Sequence, residues 1–264
     1  MGHLLLATLT RELRTQTRYP LNAIALALMP VLAVLPFWLL SIWLGGSTER
    51  FQTYAGATDF EAYIVVGVIL WWYLQSVMMD ATLLVYREIQ QGTLERLLTS
   101  SQPLGQIFAA HALAGILRET ASTAVSLGVV VWVFKTKLAF SAVLLALLLL
   151  AIVAVFGVGL ILGAITVRTR SNAYTFMVTA VLAFLAGPAY SVDVFPNWLR
   201  WLAYSSPMTH GLQAARLLLV GGQPPVTQTL AVLAAFAAVL VPAGLWLVRA
   251  TIEQQKREGG LGGY

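Results

Sequence analysis

The sequence predicts an all-α polytopic membrane protein with six transmembrane helices, and three observations predict it. Hydrophobic residues make up 59% of the 264 and charged ones 10%, against roughly 45–50% and about 25% in an ordinary soluble domain. Uncharged runs are long: Tyr19 to Thr48 is 30 residues, Leu138 to Val167 is 30 and Leu217 to Val248 is 32, each beyond the ~20 that a helix needs to cross a bilayer core. The remaining charges gather in short stretches between apolar ones. A water-soluble globule is excluded.

The elements follow in order. Residues 3–18 place Leu6, Leu9 and Leu13 on one helical side and Arg11, Arg14 and Arg18 largely elsewhere, the pattern of an interfacial amphipathic helix on the inner leaflet. The stretch Leu4 to Leu9 is too short for a signal h-region and its charges follow it, so the chain is expected to keep this segment. Spans read at 21–44, 61–86, 104–134, 139–166, 172–191 and 226–249. Residues 87–103 carry Ile89, Leu94, Leu97 and Leu98, enough for a short amphipathic inner helix where a turn would have sufficed. Residues 188–225 are too rich in Trp, Tyr, Leu and Pro for a hydrated loop and too interrupted for a crossing. They read as short outer re-entrant helices, which must pack on protein or a cavity. Residues 250–264 form a cytoplasmic tail. With no repeat and no linker, 1–264 reads as one transmembrane domain.

Orientation follows from the basic residues. With both termini inside, the inner segments hold Arg11, Arg14, Arg18, Arg87, Arg96, Arg168, Arg170, Arg249, Lys256 and Arg257, and the outer ones Arg50, Lys135, Lys137, Arg200 and Arg216. Ten against five favours N-in and C-in in the inner (plasma) membrane. The surplus of 16 basic over 11 acidic residues therefore orients the chain and implies no nucleic-acid partner. There is no cysteine, hence no disulfide and no thiolate metal site.

Motifs for chemistry on this chain are missing. No G-x-x-x-x-G-K-[ST] loop exists to cradle phosphates. His3, His111 and His210 are too dispersed for a zinc pair, so no metal site is expected. The nearest approach to G-x-S-x-G is Gly45-Gly46-Ser47-Thr48-Glu49, without the final glycine. Asp193, Ser205, Ser206 and His210 are residue types that recur in any polar loop. No catalytic residue is assigned.

Ionisable residues within spans are costly and commonly functional. Asp80 and Arg118 both fall about 25–29 Å below the outer face at 1.5 Å per residue. With Glu119 they form a candidate charge pair or triad between the second and third helices, where structural bracing is preferred to a proton relay. Trp71, Trp72 and Tyr73 lie about 15–18 Å deep, near the midplane, where interfacial anchoring does not apply. They either line a substrate route or pack the bundle. Thr175 and Thr179 are further polar candidates on the fifth span, as is Asn22 on the first. Gly159 and Gly163 form a G-x-x-x-G helix-contact motif.

The inner stretch Glu88-x3-Gly92-Thr93-Leu94-Glu95-x-Leu97-x3-Ser101-x-Pro103 resembles the E-x-x-x-G-T-L-E-x-L segment of type-2 ABC transporter permeases. Phe195-Pro196, followed by Ser206-Pro207-Met208-Thr209-x4-Ala214-x-Arg216-x4-Gly221, is similar to that family's outer segment before the last helix. The resemblance implies a non-catalytic membrane subunit, dimeric, exporting amphipathic or lipid-like molecules with two copies of a separate ABC ATPase. ATP and Mg would then be bound by that partner, with no cofactor on this chain. It further implies that Glu88, Gly92, Thr93, Leu94, Glu95 and Leu97 form the ATPase-coupling helix, with Arg168 and Arg170 as a second contact. A hydrophobic or amphipathic small molecule is the preferred substrate over a polysaccharide or lipid-linked glycan. An ATP-independent carrier or scaffold is the alternative of another class; a carrier would show internal symmetry and helices broken at mid-depth.

Overall fold

The computed structural model describes residues 20–43, 59–91, 104–169 and 171–257, with Leu6, Ala7, Thr10, Arg14 and Arg18 as isolated positions. The interfacial segment 3–18, most of the coupling segment from Gly92 to Pro103, the Gly45–Glu49 stretch and the end of the tail thus lie largely outside the described residues. Those described are helical, with no strand among them. In chain order the helices are α1 (Pro20–Trp43), α2 (Phe60–Gln90), α3 (Leu104–Phe134), α4 (Ala142–Thr169), α5 (Ala173–Ala186), α6 (Asn197–Tyr204), α7 (Pro207–Leu219) and α8 (Val226–Arg257), with a 3-10 turn at Val192–Val194.

Four of these, α2, α3, α4 and α8, are long and apolar enough to cross a membrane. α4 reaches a mean hydropathy of 3.1 and is apolar on every side. Leu147, Ala151, Ala154 and Val155 are buried in the main core, while Leu145, Leu149 and Val153 are exposed. Water would not tolerate such an outer face; lipid does. α2 is the most enclosed helix, with Val65, Val66, Val68, Ile69 and Leu74 wholly buried between α4, α3 and α1.

Small residues set the closest helix contacts. A Cβ on Gly159 would lie 2.4 Å from the Met78 carbonyl oxygen and one on Gly163 2.8 Å from that of Thr82. The G-x-x-x-G pair of α4 is therefore where it meets the backbone of α2.

The element bounds differ most from the sequence reading in three places. α2 runs to Gln90, because Val85 and Ile89 pack with Val167 of α4 and Ile252 of α8 and hold the helix past the charges at Arg87 and Glu88. α8 likewise continues to Arg257. α5 stops at Ala186 and does not extend to 191: Gly187 adopts φ 63, the left-handed cap conformation that ends helices, and Pro188 follows. At 14 residues, α5 is about 21 Å long, short of the ~30 Å hydrocarbon core. Past its end, Leu185 packs with Val192 of the 3-10 turn and Ala203 of α6. α7 packs deep, with its Gly211 against Ala151 of α4 and Leu74 of α2; its Ser206 cap accepts the Met208 amide and Pro207 opens the first turn, a favourable start for a helix.

Candidate functional site

Asp80 of α2 and Arg118 of α3 form an ion pair, Arg118 Nη2 lying 2.5 Å from Asp80 Oδ2. The same guanidinium donates to Glu119 Oε1 through Nε at 3.1 Å and Nη2 at 3.0 Å. The other Asp80 oxygen lies 3.4 Å from Arg87 Nη1. Two cations and two carboxylates make the cluster formally neutral, which is what allows it to stand among apolar helices. α3 makes room for it with Gly115, where a Cβ would sit 3.0 Å from Asp80 Oδ2. Both carboxylates are held by guanidinium groups. Among the described residues no cluster of three or more His, Asp or Glu could hold a metal ion.

The three aromatic residues Trp71, Trp72 and Tyr73 of α2 have different surroundings. Tyr73 is buried and its hydroxyl lies 2.6 Å from Thr120 Oγ1. Thr120 donates its own proton to the Ile116 carbonyl at 2.7 Å, so Tyr73 is the donor in that pair. Trp71 is half-buried against the main core and meets Trp72 edge-on, with ring centroids 6.0 Å apart. Thr175 and Thr179 are buried and internally satisfied. Thr166 donates to the Leu162 carbonyl and shares a 2.9 Å contact with Thr175 Oγ1; Thr179 donates to the Thr175 carbonyl at 2.7 Å. Thr175 joins α5 to α4, Thr179 faces Met79 Sδ of α2 at 3.8 Å, and the exposed side of α5 is apolar: Tyr174, Phe176, Met177, Val181 and Phe184.

Arg216 was part of a motif in the sequence but not among its site residues, and it is the largest fully buried side chain. Its Nη1 donates to the carbonyls of Gly187 and Pro188, both at 3.0 Å, and its Nη2 to Tyr190 at 3.2 Å. Nη2 also donates to the Tyr63 hydroxyl at 2.5 Å and to Gln213 Oε1, while the guanidinium lies 3.6 Å over the Tyr63 ring. These carbonyls belong to the turn that follows α5, and the last carbonyl of the helix itself, that of Ala186, accepts from Gln213 Nε2 at 2.9 Å. In an environment without water each would otherwise cost several kcal/mol. Gly67 of α2 permits the approach, since a Cβ there would lie 2.2 Å from the Pro188 oxygen. The available signal was a lone Arg inside the apolar run Leu212 to Leu219.

Beyond Arg216, a cavity of about 660 Å³ is lined by Asp193, Arg200, Trp201, Tyr204, His210 and residues of the α8 start. Burial and the Asp193 carboxylate push the Tyr204 phenol up to about 12, so it stays a donor to Asp193 Oδ1 at 3.3 Å. His210 Nε2 is engaged by the Tyr204 carbonyl at 2.8 Å. Ser205 donates to the Leu202 carbonyl and Ser206 caps α7, so neither serine is paired with His210 as a nucleophile would be.

Where α2 finishes, Glu88 lies in the last turn of the helix, while Gly92, Thr93, Leu94, Glu95 and Leu97 lie outside the described residues, as does Arg170. Arg168 is exposed in the last turn of α4.

Long apolar helices with a lipid-compatible exterior, joined by a short-helix module at one end, define a multi-pass membrane protein. Residues 3–220 match the family described as ABC-2 type transporter, and the chain belongs to it. It is similar to the "Probable multidrug ABC transporter permease YbhR" of Escherichia coli (strain K12), 29% identical over 160 residues that cover 58% of this chain and 42% of that protein. The protein of the same name from Escherichia coli O157:H7 matches to the same extent. The matched stretch thus spans less than half the length of these relatives. Permeases of this family are membrane components of transporters and work with an ABC ATPase.

Proposed function

We propose that this chain is the membrane-spanning subunit of an ATP-driven exporter that moves a hydrophobic or amphipathic small molecule outward. In this reading α1 and α5 complete six crossings, both termini face the cytoplasm of the inner membrane, and α6 and α7 form the outer re-entrant module. Two copies assemble with two ATPase subunits, which bind ATP and Mg and dock on the segment from Glu88 to Ser101 and on the turn at Arg168 and Arg170.

The observation that carries the proposal is the seating of the inner end of α2. Val85 and Ile89 flank Glu88 and are clamped by Val167 of α4 and Ile252 of α8. A force applied to the loop after Gln91 is therefore delivered to three long helices at once, as a coupling element requires. The naming of the Escherichia coli relatives as probable multidrug permeases supports an apolar small molecule as cargo. So does the lack of charge in the sequence of α1, of α5 and of α4 before Arg168.

The test is co-expression with a candidate ABC ATPase, co-purification, and ATP hydrolysis in proteoliposomes. Stimulation by hydrophobic dyes and not by a lipid-linked glycan is the expected result. Failure of every ABC ATPase encoded in the same genome to co-purify would overturn the assignment.

A further inference from the structure

At the end of the bundle where α2 and α8 finish, a cavity of about 540 Å³ opens between α3 and α8, floored by α2 and α4. Its volume is in the range of sites that bind small molecules. It does not involve the charge cluster, the aromatic run or the outer module, and what it holds does not depend on what the chain transports.

Its position relative to the bilayer can be read from the helices. On α3 the exposed apolar residues run from Leu113 to Val133, 20 steps or about 30 Å, the thickness of the hydrocarbon core. On α8 the exposed Trp246 precedes Arg249, the aromatic-then-basic order of a membrane boundary. Leu113 and Leu245 both line the cavity, so the two helices place the boundary at one level, across its middle. Above it Ile116, Phe156 and Val241 make an apolar slot inside the hydrocarbon. Below it, at the level of lipid headgroups, are Arg249 and Glu253, the two charged residues of the lining.

Those two residues are four apart on α8, so they share a face about 6 Å apart along the axis. Both are exposed, and neither forms an ion pair among the described residues. Arg249 is nearer the hydrocarbon and Glu253 farther out. A phospholipid with an ethanolamine headgroup presents its charges in the complementary order: phosphate next to the glycerol, ammonium beyond it. We propose that this cavity binds one phosphatidylethanolamine molecule of the adjacent leaflet, an acyl chain in the slot, the phosphate on Arg249 and the ammonium on Glu253.

Native mass spectrometry of the full chain, purified in detergent and offered equal phosphatidylethanolamine and phosphatidylglycerol, tests this. Wild type should retain the ethanolamine lipid preferentially. Arg249→Gln should weaken both lipids by roughly fivefold, the loss of one cation from an anionic group. Glu253→Gln should remove the preference, because only the ammonium needs it. Ala112→Trp, which fills the cavity where it leads into the slot, should abolish retention of both at an unchanged melting temperature, and Ala109→Trp serves if that protein does not fold. Equal retention by wild type, preference for phosphatidylglycerol, or retention by a folded slot-filled variant would overturn the proposal.

Discussion

Asp80 and Arg118, 38 positions apart, meet at 2.5 Å between α2 and α3, and each has a second partner of opposite charge, Arg87 and Glu119. Removing one member leaves a surplus charge among apolar helices; removing a cation and an anion together leaves none. Asp80→Asn alone should destabilise by about 1–3 kcal/mol, below the full buried-pair range because the side chains are partly exposed. The double variant Asp80→Asn/Arg118→Gln should cost less than the sum. Melting temperatures of the four proteins in one detergent measure the coupling, and additive effects would argue against it.

Arg216 answers several carbonyls of the turn that follows α5. Arg216→Gln should loosen the segment from Gly187 to Ser206 and cost on the order of 3–5 kcal/mol. Arg216→Lys should rescue little, because a point charge cannot span carbonyls served by a planar fork. Tyr63→Phe keeps the ring beneath the guanidinium and should lose only about 1 kcal/mol. Melting together with limited proteolysis of the 188–206 segment checks the order Gln, Lys, Phe from worst to mildest.

The helices that carry these groups were legible because an apolar stretch longer than a bilayer has one physical reading. That Asp80 and Arg118 stand at one level followed from counting residues at a fixed rise, which works within straight helices. Counting says nothing about which way Thr175 or Tyr73 faces, since helices apolar all round have no amphipathic phase to orient them. The early end of α5 at Gly187 was obscured because Pro188, Ala189 and Tyr190 continue an apolar composition. The stop lies in a backbone conformation and in an Arg that arrives 29 residues later to bond its carbonyl. Such a long-range partner leaves no local trace beyond its own charge.

His210 ties α7 to α6 through the Tyr204 carbonyl, and burial lowers its pKa below the ordinary 6.5. The unfolded chain then binds more protons than the folded one between the lowered value and 6.5. Stability from this residue is present above pH 6.5 and declines as pH falls through that window. Melting should therefore drop on acidification from pH 7 to about 5, and His210→Gln should flatten that dependence. An unchanged slope in the variant would assign the acid sensitivity elsewhere.

The coupling reading places Glu88 and Glu95 at the ATPase contact. Glu88→Ala and Glu95→Ala together should lower co-purification of the ATPase and transport several-fold, losing charged contacts worth about 1–3 kcal/mol, while membrane insertion stays intact. Pull-down efficiency and dye efflux from the same vesicles measure both, and unaltered values would rule out this segment as the contact.

Trp71, Trp72 and Tyr73 separate by their surroundings. Tyr73 spends its hydroxyl on Thr120 and is buried, so Tyr73→Phe should cost about 1 kcal/mol in stability and leave the ranking of stimulating substrates unchanged. Trp71 packs on the main core, and Trp71→Ala should lower melting further, by up to the ~3–5 kcal/mol of a buried aromatic truncation. Trp72 is half-buried and meets Trp71 only edge-on. Its remaining surface gives broad apolar contact without directional bonds, the chemistry that accepts varied amphipaths. Trp72→Ala should therefore reorder which dyes stimulate ATP hydrolysis while melting falls least of the three. If all three variants lower melting and keep the wild-type ranking, the aromatic run is packing alone, and the substrate route must run along the apolar exposed sides of α1 and α5.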